Sequence, residues 1–289
     1  MQFSILTYNI LLNDARSSIQ DLGEKCNPDV ICIQELNTNN PHLDRVAGPN
    51  YRLAEYANCF VKFGTIFGGA TYYNPKTLQY HSSKVINLPK SYYEMFNLVV
   101  HLFRFKTRNR TVVRTKFTHR QSGKEITVYN IHLSSHASNG ARLRQLKKTL
   151  KEIDLEDTSA TILAGDFNYP FGRKKLEKTM RFCGLSEATS NLLFTTDKRL
   201  TYYTFWERMG KRVLDFFVKR PFKLDYIFYR NCTPLETKRI DAPLSDHFPI
   251  FSSFTIKKEA EEKQPMLPSK EERASFFAEE DEDETDDED

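Results

Sequence analysis

Six short apolar runs, each with a polar or charged residue at or beside one end, set the tightest limit on what this chain can become. They are Phe3–Tyr8 (FSILTY), Val30–Ile33 (VICI), Glu125–Ile131 (EITVYNI), Thr161–Ala164 (TILA), Leu224–Tyr229 (LDYIFY) and Pro249–Phe254 (PIFSSF). Runs this short, rich in β-branched and aromatic residues, read as strands. Helical spacing intervenes at Leu143, Leu146, Leu150 and Ile153, and again at Leu176, Met180 and Cys183. Several strand-like runs near 98–131 follow one another with no helix between them, which predicts hairpins. The pattern predicts a mixed sheet core with helices packed outside it, not a simple parallel βαβ repeat. There is no internal sequence repeat.

Charge divides the chain. The formal net charge is +4, but Lys257 to Asp289 holds 5 basic and 15 acidic side chains, leaving −10 there and +14 on residues 1–256. A basic body implies an anionic partner. The segment 257–289 contains Pro265 and Pro268 and ends in an almost unbroken acidic run from Glu279. Self-repulsion and the lack of apolar residues predict a disordered tail, after a single catalytic domain over 1–256. The five cysteines (Cys26, Cys32, Cys59, Cys183, Cys232) show neither a paired framework nor a zinc spacing. They read as free thiols in a reducing compartment, the cytoplasm or the nucleus. No apolar run has the roughly 18–20 residues of a membrane span. Met1 to Leu12 lacks a basic leader and carries Thr7 and Asn9, which argues against a signal peptide and secretion.

The polar residues at the strand ends carry the chemistry. Asn9 closes the first run, Glu35 follows VICIQ, and His132 closes ITVYNIH. Asp166 and Asn168 follow TILAG, Asp225 lies in KLDYIF, and Asp246–His247 sit in PLSDHFP. Catalytic groups gather at strand ends, where the scaffold fixes them and loops admit substrate. Taken singly, each has a plain structural alternative: a turn, a surface position or a core histidine. Six such placements in one chain outweigh those alternatives.

The strings LTYN, CIQE, YNIHL, AGDFN, LDYIF and LSDHFP, in this order over residues 3 to about 256, resemble the endonuclease/exonuclease/phosphatase superfamily. The resemblance implies a deoxyribonuclease I-like α/β (α+β) fold, a four-layer sandwich of two packed mixed β-sheets flanked by helices. It implies a metal-dependent hydrolase of phosphoric esters, with Glu35 as principal metal ligand and Asn9 beside it in the metal and phosphate shell. Asp246 matches a position that joins the metal network. Hard oxygen ligands in small number suit Mg²⁺ or Mn²⁺. By the same resemblance, Asp166 orients and deprotonates the attacking water, and Asn168 holds a phosphoryl oxygen or that water. His247 faces the phosphate, held by Asp225, and His132 donates to the phosphate from the opposite side.

For the substrate, the +14 body favours a polyanion, and a nucleic acid, DNA or RNA, before others. Arg104 to Arg120 is rich in cations, and Phe205 to Lys223 interleaves aromatics with cations in a way that suits stacked bases and a phosphate backbone. The alternative places those aromatics in the core and the cations on a solvated face. The basic helix from Arg142 to Lys151 reads as a solvated face. Inositol phosphates or phospholipids are the rival substrates, although no membrane anchor is evident and no stable membrane association is expected. A non-catalytic binding module on the same fold is a further alternative, disfavoured by the intact Glu35, Asp166 and His247. The acidic tail reads as a solubilising end or as a segment that contacts its own basic surface or a protein partner. Phe276–Phe277 have the look of a docking peptide, but Lys270 and Arg273 do not fit a clamp-binding box.

Overall fold

The computed structural model describes residues 1–62, 64–90, 110–135, 137–197, 221–242, 244–256 and 268–282. Within them the six expected runs are all strands: β1 (Gln2–Asn9), β2 (Val30–Asn37), β7 (Glu125–His132), β8 (Ala160–Asp166), β10 (Asp225–Arg230) and β12 (Ile250–Thr255). They are joined by β3 (Arg52–Lys62), β4 (Thr65–Tyr73), β5 (Leu78–Asn87), β6 (Thr111–His119), the two-residue β9 (Ser186–Glu187) and β11 (Thr233–Arg239). The described helices are α1 (Ser18–Cys26), α2 (Asn139–Leu150), α3 (Arg173–Phe182) and α4 (Lys270–Glu282). The expected hairpin near 98–131 is β6–β7, and its portion before Arg110 lies outside the described residues.

The strands form two six-stranded mixed sheets, ordered β11-β12-β1-β2-β4-β3 and β5-β6-β7-β8-β10-β9. Each has one parallel pair at its centre, β1 with β2 and β7 with β8. A parallel pair needs a crossover, which α1 and α2 supply. Neighbouring residues on the central strands enter different cores: Ile5 and Cys32 pack between the sheets, whereas Leu6 and Ile31 pack outward beneath α1. On the other sheet, Ile162 faces the inter-sheet core, and Leu163 faces Leu146 of α2 and Leu176 of α3. Burial on both faces is why these strands read as nearly continuous apolar runs. The result is the expected four-layer sandwich. Its helices are set locally: Ser138 accepts from the Ala141 N–H at the start of α2 (3.2 Å), and Asn27, in a left-handed conformation, ends α1.

Two expectations need correction. Arg142 and Lys147 are buried, so α2 is not simply a solvated basic face. Arg142 donates through Nε to Ser134 O and through Nη2 to Ser135 O, which fastens the loop leaving His132. The reading of 257–289 as a disordered tail fails over Lys270–Glu282, which is helical. Ser269 and Glu272 form a reciprocal capping box: Glu272 N donates to Ser269 Oγ (3.1 Å) and Ser269 N to Glu272 Oε2 (2.7 Å). Arg273 then donates to the carbonyls of Leu150 and Ile153 at the end of α2. Phe277 is buried in the core outside the second sheet, and Phe276 stacks on Phe182 with centroids 4.0 Å apart. Two aromatics and a cap therefore offset the charge that suggested disorder. The acidic residues beyond Glu282 lie outside the described residues.

Removing the Phe277 ring should leave a cavity in a formed core. Phe277→Ala is expected to lower unfolding free energy by about 3 kcal/mol, against less than about 0.5 kcal/mol for the exposed Leu193→Ala. Urea denaturation midpoints read the difference.

Candidate active site

Three neighbouring strands of the second sheet bring three of the expected residues side by side. His132 at the end of β7 is in register with Asp166 at the end of β8, and Asp166 is in register with Asp225 at the start of β10. Gly165 makes the approach possible. It sits at φ +145°, and a Cβ there would lie 2.0 Å from the Ile131 carbonyl oxygen. The glycine of AGDFN is thus required by the contact between β8 and β7, one residue from both His132 and Asp166.

The first sheet contributes Asn9 and Glu35. Pairing of β2 with β4 slips between Ile33 and Leu36, and Glu35 adopts φ +59°, which takes its side chain out of the ladder. Asn9 Nδ2 donates to Asp166 Oδ2 at 2.9 Å and approaches Glu35 Oε1 at 3.4 Å, so one amide spans the two sheets. Leu12 N donates to Glu35 Oε2 (3.0 Å). Asn168, at φ +49°, donates from its backbone N to Asp166 Oδ1 and from Nδ2 to Asp166 Oδ2 and Leu133 O.

The loop before β12 carries Asp246 and His247. Ser245 Oγ donates to Asn9 O and accepts from His247 N, which fastens this loop to the end of β1. His247 Nδ1 lies 2.8 Å from Asp225 Oδ2, and Thr195 Oγ1 donates to the same oxygen at 2.7 Å. His247 Nε2 points back to within 3.9 Å of Asp166 Oδ2.

Burial acts differently on each group. Asp166 is raised to about 7 by burial, with Asp225 adding to the rise, while His247 and the donors Asn168 and Asn9 oppose it. Burial opposes the charge on His247, but Asp225 and Asp166 overcome it and hold the ring well above its ordinary value. His132 is driven well below its ordinary value by burial, then by Arg110 and His247. At neutral pH the site therefore holds a carboxylate close to its titration point, one imidazolium and one neutral imidazole.

Seven of the eight expected residues converge in this way. Asp246 makes no described contact with Glu35. Its carboxylate is sensed by Tyr8, Asp14 and His247, and its Oδ1 is buried without a hydrogen-bond partner among the described residues. Two positions were not singled out as site residues from the sequence. Thr195 has no strand-end signature. Arg110 lay in the Arg104–Arg120 cluster; its Nη1 lies 3.3–3.4 Å from both ring nitrogens of His132, and its guanidinium covers the Phe60 ring at 4.5 Å. The rest of that cluster before Arg110, and Phe205 to Arg220 of the aromatic stretch, lie outside the described residues.

The donors fit a hard divalent cation. Glu35 Oε1 takes a long contact from Asn9 and lies 3.7 Å from His132 Nε2, and Asp246 Oδ1 is a second acceptor, without a hydrogen-bond partner among the described residues. Ligand atoms of Asp166, Asp225 and His247 also lie within 4.8 Å of one another. Those carboxylates already accept from Asn9, Asn168 and Thr195, and the charged His247 repels a cation, so this trio suits proton handling better.

A family model described as Endonuclease/Exonuclease/phosphatase family matches residues 6–247. No curated protein sequence matches significantly. Among solved structures, the catalytic domain of human Nocturnin with bound sulfate is 17% identical, covering 89% of this chain and 95% of that one, at a TM-score of 0.62. ANGEL2, a 2′,3′-cyclic phosphatase in complex with adenosine-2′,3′-vanadate, is 15% identical, covering 89% and 96%, at 0.63. A conserved protein of unknown function from Enterococcus faecalis is 19% identical, covering 88% and 100%, at 0.63. At these identities the three share the fold.

Gly165→Ala should force β8 away from β7 at the level of His132 and Asp166. It is expected to cost about 3 kcal/mol in urea denaturation, since both backbone strain and overpacking apply.

Proposed function

Since the chain belongs to the endonuclease/exonuclease/phosphatase family of hydrolytic phosphoesterases, we propose that it is a divalent-metal-dependent nuclease that hydrolyses phosphodiester bonds in DNA or RNA. The observation that carries the chemistry is Asp166: buried, held by three donated hydrogen bonds, and raised to about 7. A general base performs best when its pKa lies near the working pH. Asp166 takes a proton from water as the water oxygen attacks phosphorus in line, and the bond to the leaving oxygen breaks on the far side. Asn168 and Asn9 hold the carboxylate so that one oxygen faces the water. His247, kept charged by Asp225, pairs with a phosphoryl oxygen, and Thr195 fixes Asp225. His132 donates a neutral N–H to the phosphate, its ring kept uncharged by burial with Arg110 adding to it.

Glu35, Asn9 and Asp246 are the residues that would hold Mg²⁺ or Mn²⁺. When bound, the cation neutralises charge on the phosphate oxygens as it develops. The +14 body supports a polyanionic substrate. The adenosine-2′,3′-vanadate on ANGEL2 supports a nucleotide-type substrate on this fold.

The test is turnover of end-labelled single-stranded and duplex DNA, poly(A) RNA and inositol phosphates, with Mg²⁺, with Mn²⁺ and with chelator. Wild type is expected to cleave nucleic acid only with metal, and Glu35→Ala to lose at least roughly 100-fold. Cleavage of inositol phosphates alone would overturn the substrate, and no turnover at all would leave a binding module. A bell-shaped pH profile is also expected, rising as Asp166 deprotonates near 7 and falling as His247 loses its proton well above 6.5. Asp225 raises both groups, so Asp225→Asn should move both limbs to lower pH. A profile that stays in place would refute the assignment.

A further inference from the structure

The loop leaving Asn168 carries an aromatic ring that the chemistry above does not use. Phe171 exposes 62% of its surface, more than any other Phe, Tyr or Trp among the described residues. A single exposed apolar side chain is unremarkable in a mobile loop, but this one is held. Its carbonyl accepts from Asn139 Nδ2 at 2.9 Å, Tyr169 two residues earlier is buried, and Gly172 at φ +70° turns the chain at once into α3.

Phe171 also has a partner fixed to the other side of the site. Phe222 meets it at 5.6 Å between centroids with the rings at 89°. The Phe222 backbone is pinned by the segment that serves the histidine. Its N–H donates to Thr196 Oγ1, and its carbonyl accepts from Thr195 N and Thr196 N. Thr195 in turn holds Asp225, and Thr196 pairs with His247. Phe171 lies three residues after Asn168, and Phe222 three residues before Asp225. Three residues reach at most roughly 10 Å, so the pair stands at the rim of the site. A perpendicular neighbour covers at most one face of the Phe171 ring, and with 62% of the residue exposed a flat ligand can reach the ring.

We propose that Phe171, braced by Phe222, is a stacking platform for an unpaired nucleobase beside the scissile phosphate. The proposal rests on the nuclease reading and narrows it. A base inside a duplex already has both faces stacked, so a single strand or a frayed end is the substrate that gains from this ring. The basic body supplies the attraction for the backbone, and the ring supplies a contact that tolerates any base.

Two measurements separate this platform from the nuclease reading. In chelator, a single-stranded oligonucleotide carrying 2-aminopurine should be quenched by wild type and by Phe171→Tyr, but not by Phe171→Ala. With metal, kcat/KM is compared for oligonucleotides with a base or an abasic site next to the cleaved bond. Wild type should prefer the base by roughly 10-fold, mainly through KM. In Phe171→Ala that ratio should fall toward one, and Phe171→Tyr should restore it. An unchanged ratio in Phe171→Ala, or equal losses on both oligonucleotides, would overturn the platform while leaving the nuclease intact. Quenching by wild type without any turnover would support the platform and remove the nuclease reading. Cleavage of inositol phosphates alone, without quenching, would overturn both.

Discussion

The side-chain amide of Asn130 is the contact on which the site depends. It lies on β7 of the second sheet, and its Nδ2 donates to the carbonyls of Ile33 and Ala70 on the first. Those two residues face each other where β2 slips against β4. Its Oδ1 accepts from Gln34 Nε2, which also donates to Thr7. A buried carbonyl left without a donor costs roughly 1–3 kcal/mol. Asn130 therefore stabilises the irregularity that turns Glu35 out of the strand, and it ties that irregularity to the neighbouring sheet. An apolar residue at 130 would pack between the sheets but would leave the bulge unsatisfied.

Above this tie, one buried space holds groups with opposed protonation preferences. Burial alone would neutralise Asp166, His132 and His247 alike. Asp225 breaks the equivalence: beside His247 it joins Asp166 in overcoming desolvation, whereas beside Asp166 it adds to desolvation. Arg110 does the reverse for His132, since a cation against the ring disfavours a second positive charge. The same depth of burial thus yields one charged and one neutral histidine: both rings lie near Asp166, but Asp225 is hydrogen-bonded to His247, whereas Arg110 lies against His132 and adds to the effect of its burial. Register sets the contacts, because His132, Asp166 and Asp225 occupy matched positions on adjacent strands.

Much of this was legible in the sequence because double burial leaves strong patterns. The central strands are apolar on both faces, so their runs stood out, and polar residues at their ends were conspicuous by contrast. Strands β3 and β11 are half-exposed and mixed in composition, so period-2 alternation is blurred in RLAEYANCFVK and TPLETKR. In β4, Gly68 and Gly69 interrupt the apolar pattern. The helix at Lys270–Glu282 was hidden by its charge, although Ser269 and Glu272 already had capping-box spacing. Arg142 and Lys147 looked solvated because sequence shows a charge but not the loop carbonyls that satisfy it. Thr195 was invisible for a related reason: it acts through hydrogen bonds to the segment around Asp225, which only folding brings near.

The candidate site also divides its labour between the layers. Asn9 and Glu35 belong to the first sheet, and Asp166, Asp225 and His132 to the second. The site's groups are thus mounted on two scaffolds, and His247 bridges them: its loop leads into β12 of the first sheet, and its ring pairs with Asp225 of the second. Their spacing is set by side chains packed between the sheets, such as Ile5, Cys32, Val128 and Ile162. Asn9 Nδ2 to Asp166 Oδ2 is the direct link at the site itself. Displacements near 1 Å can cost roughly 100-fold in rate. A volume change in the inter-sheet core should therefore reach the reaction without altering any residue that touches the phosphate. Close-packed interiors transmit such strain instead of absorbing it, so the core and the chemistry are under one geometric constraint.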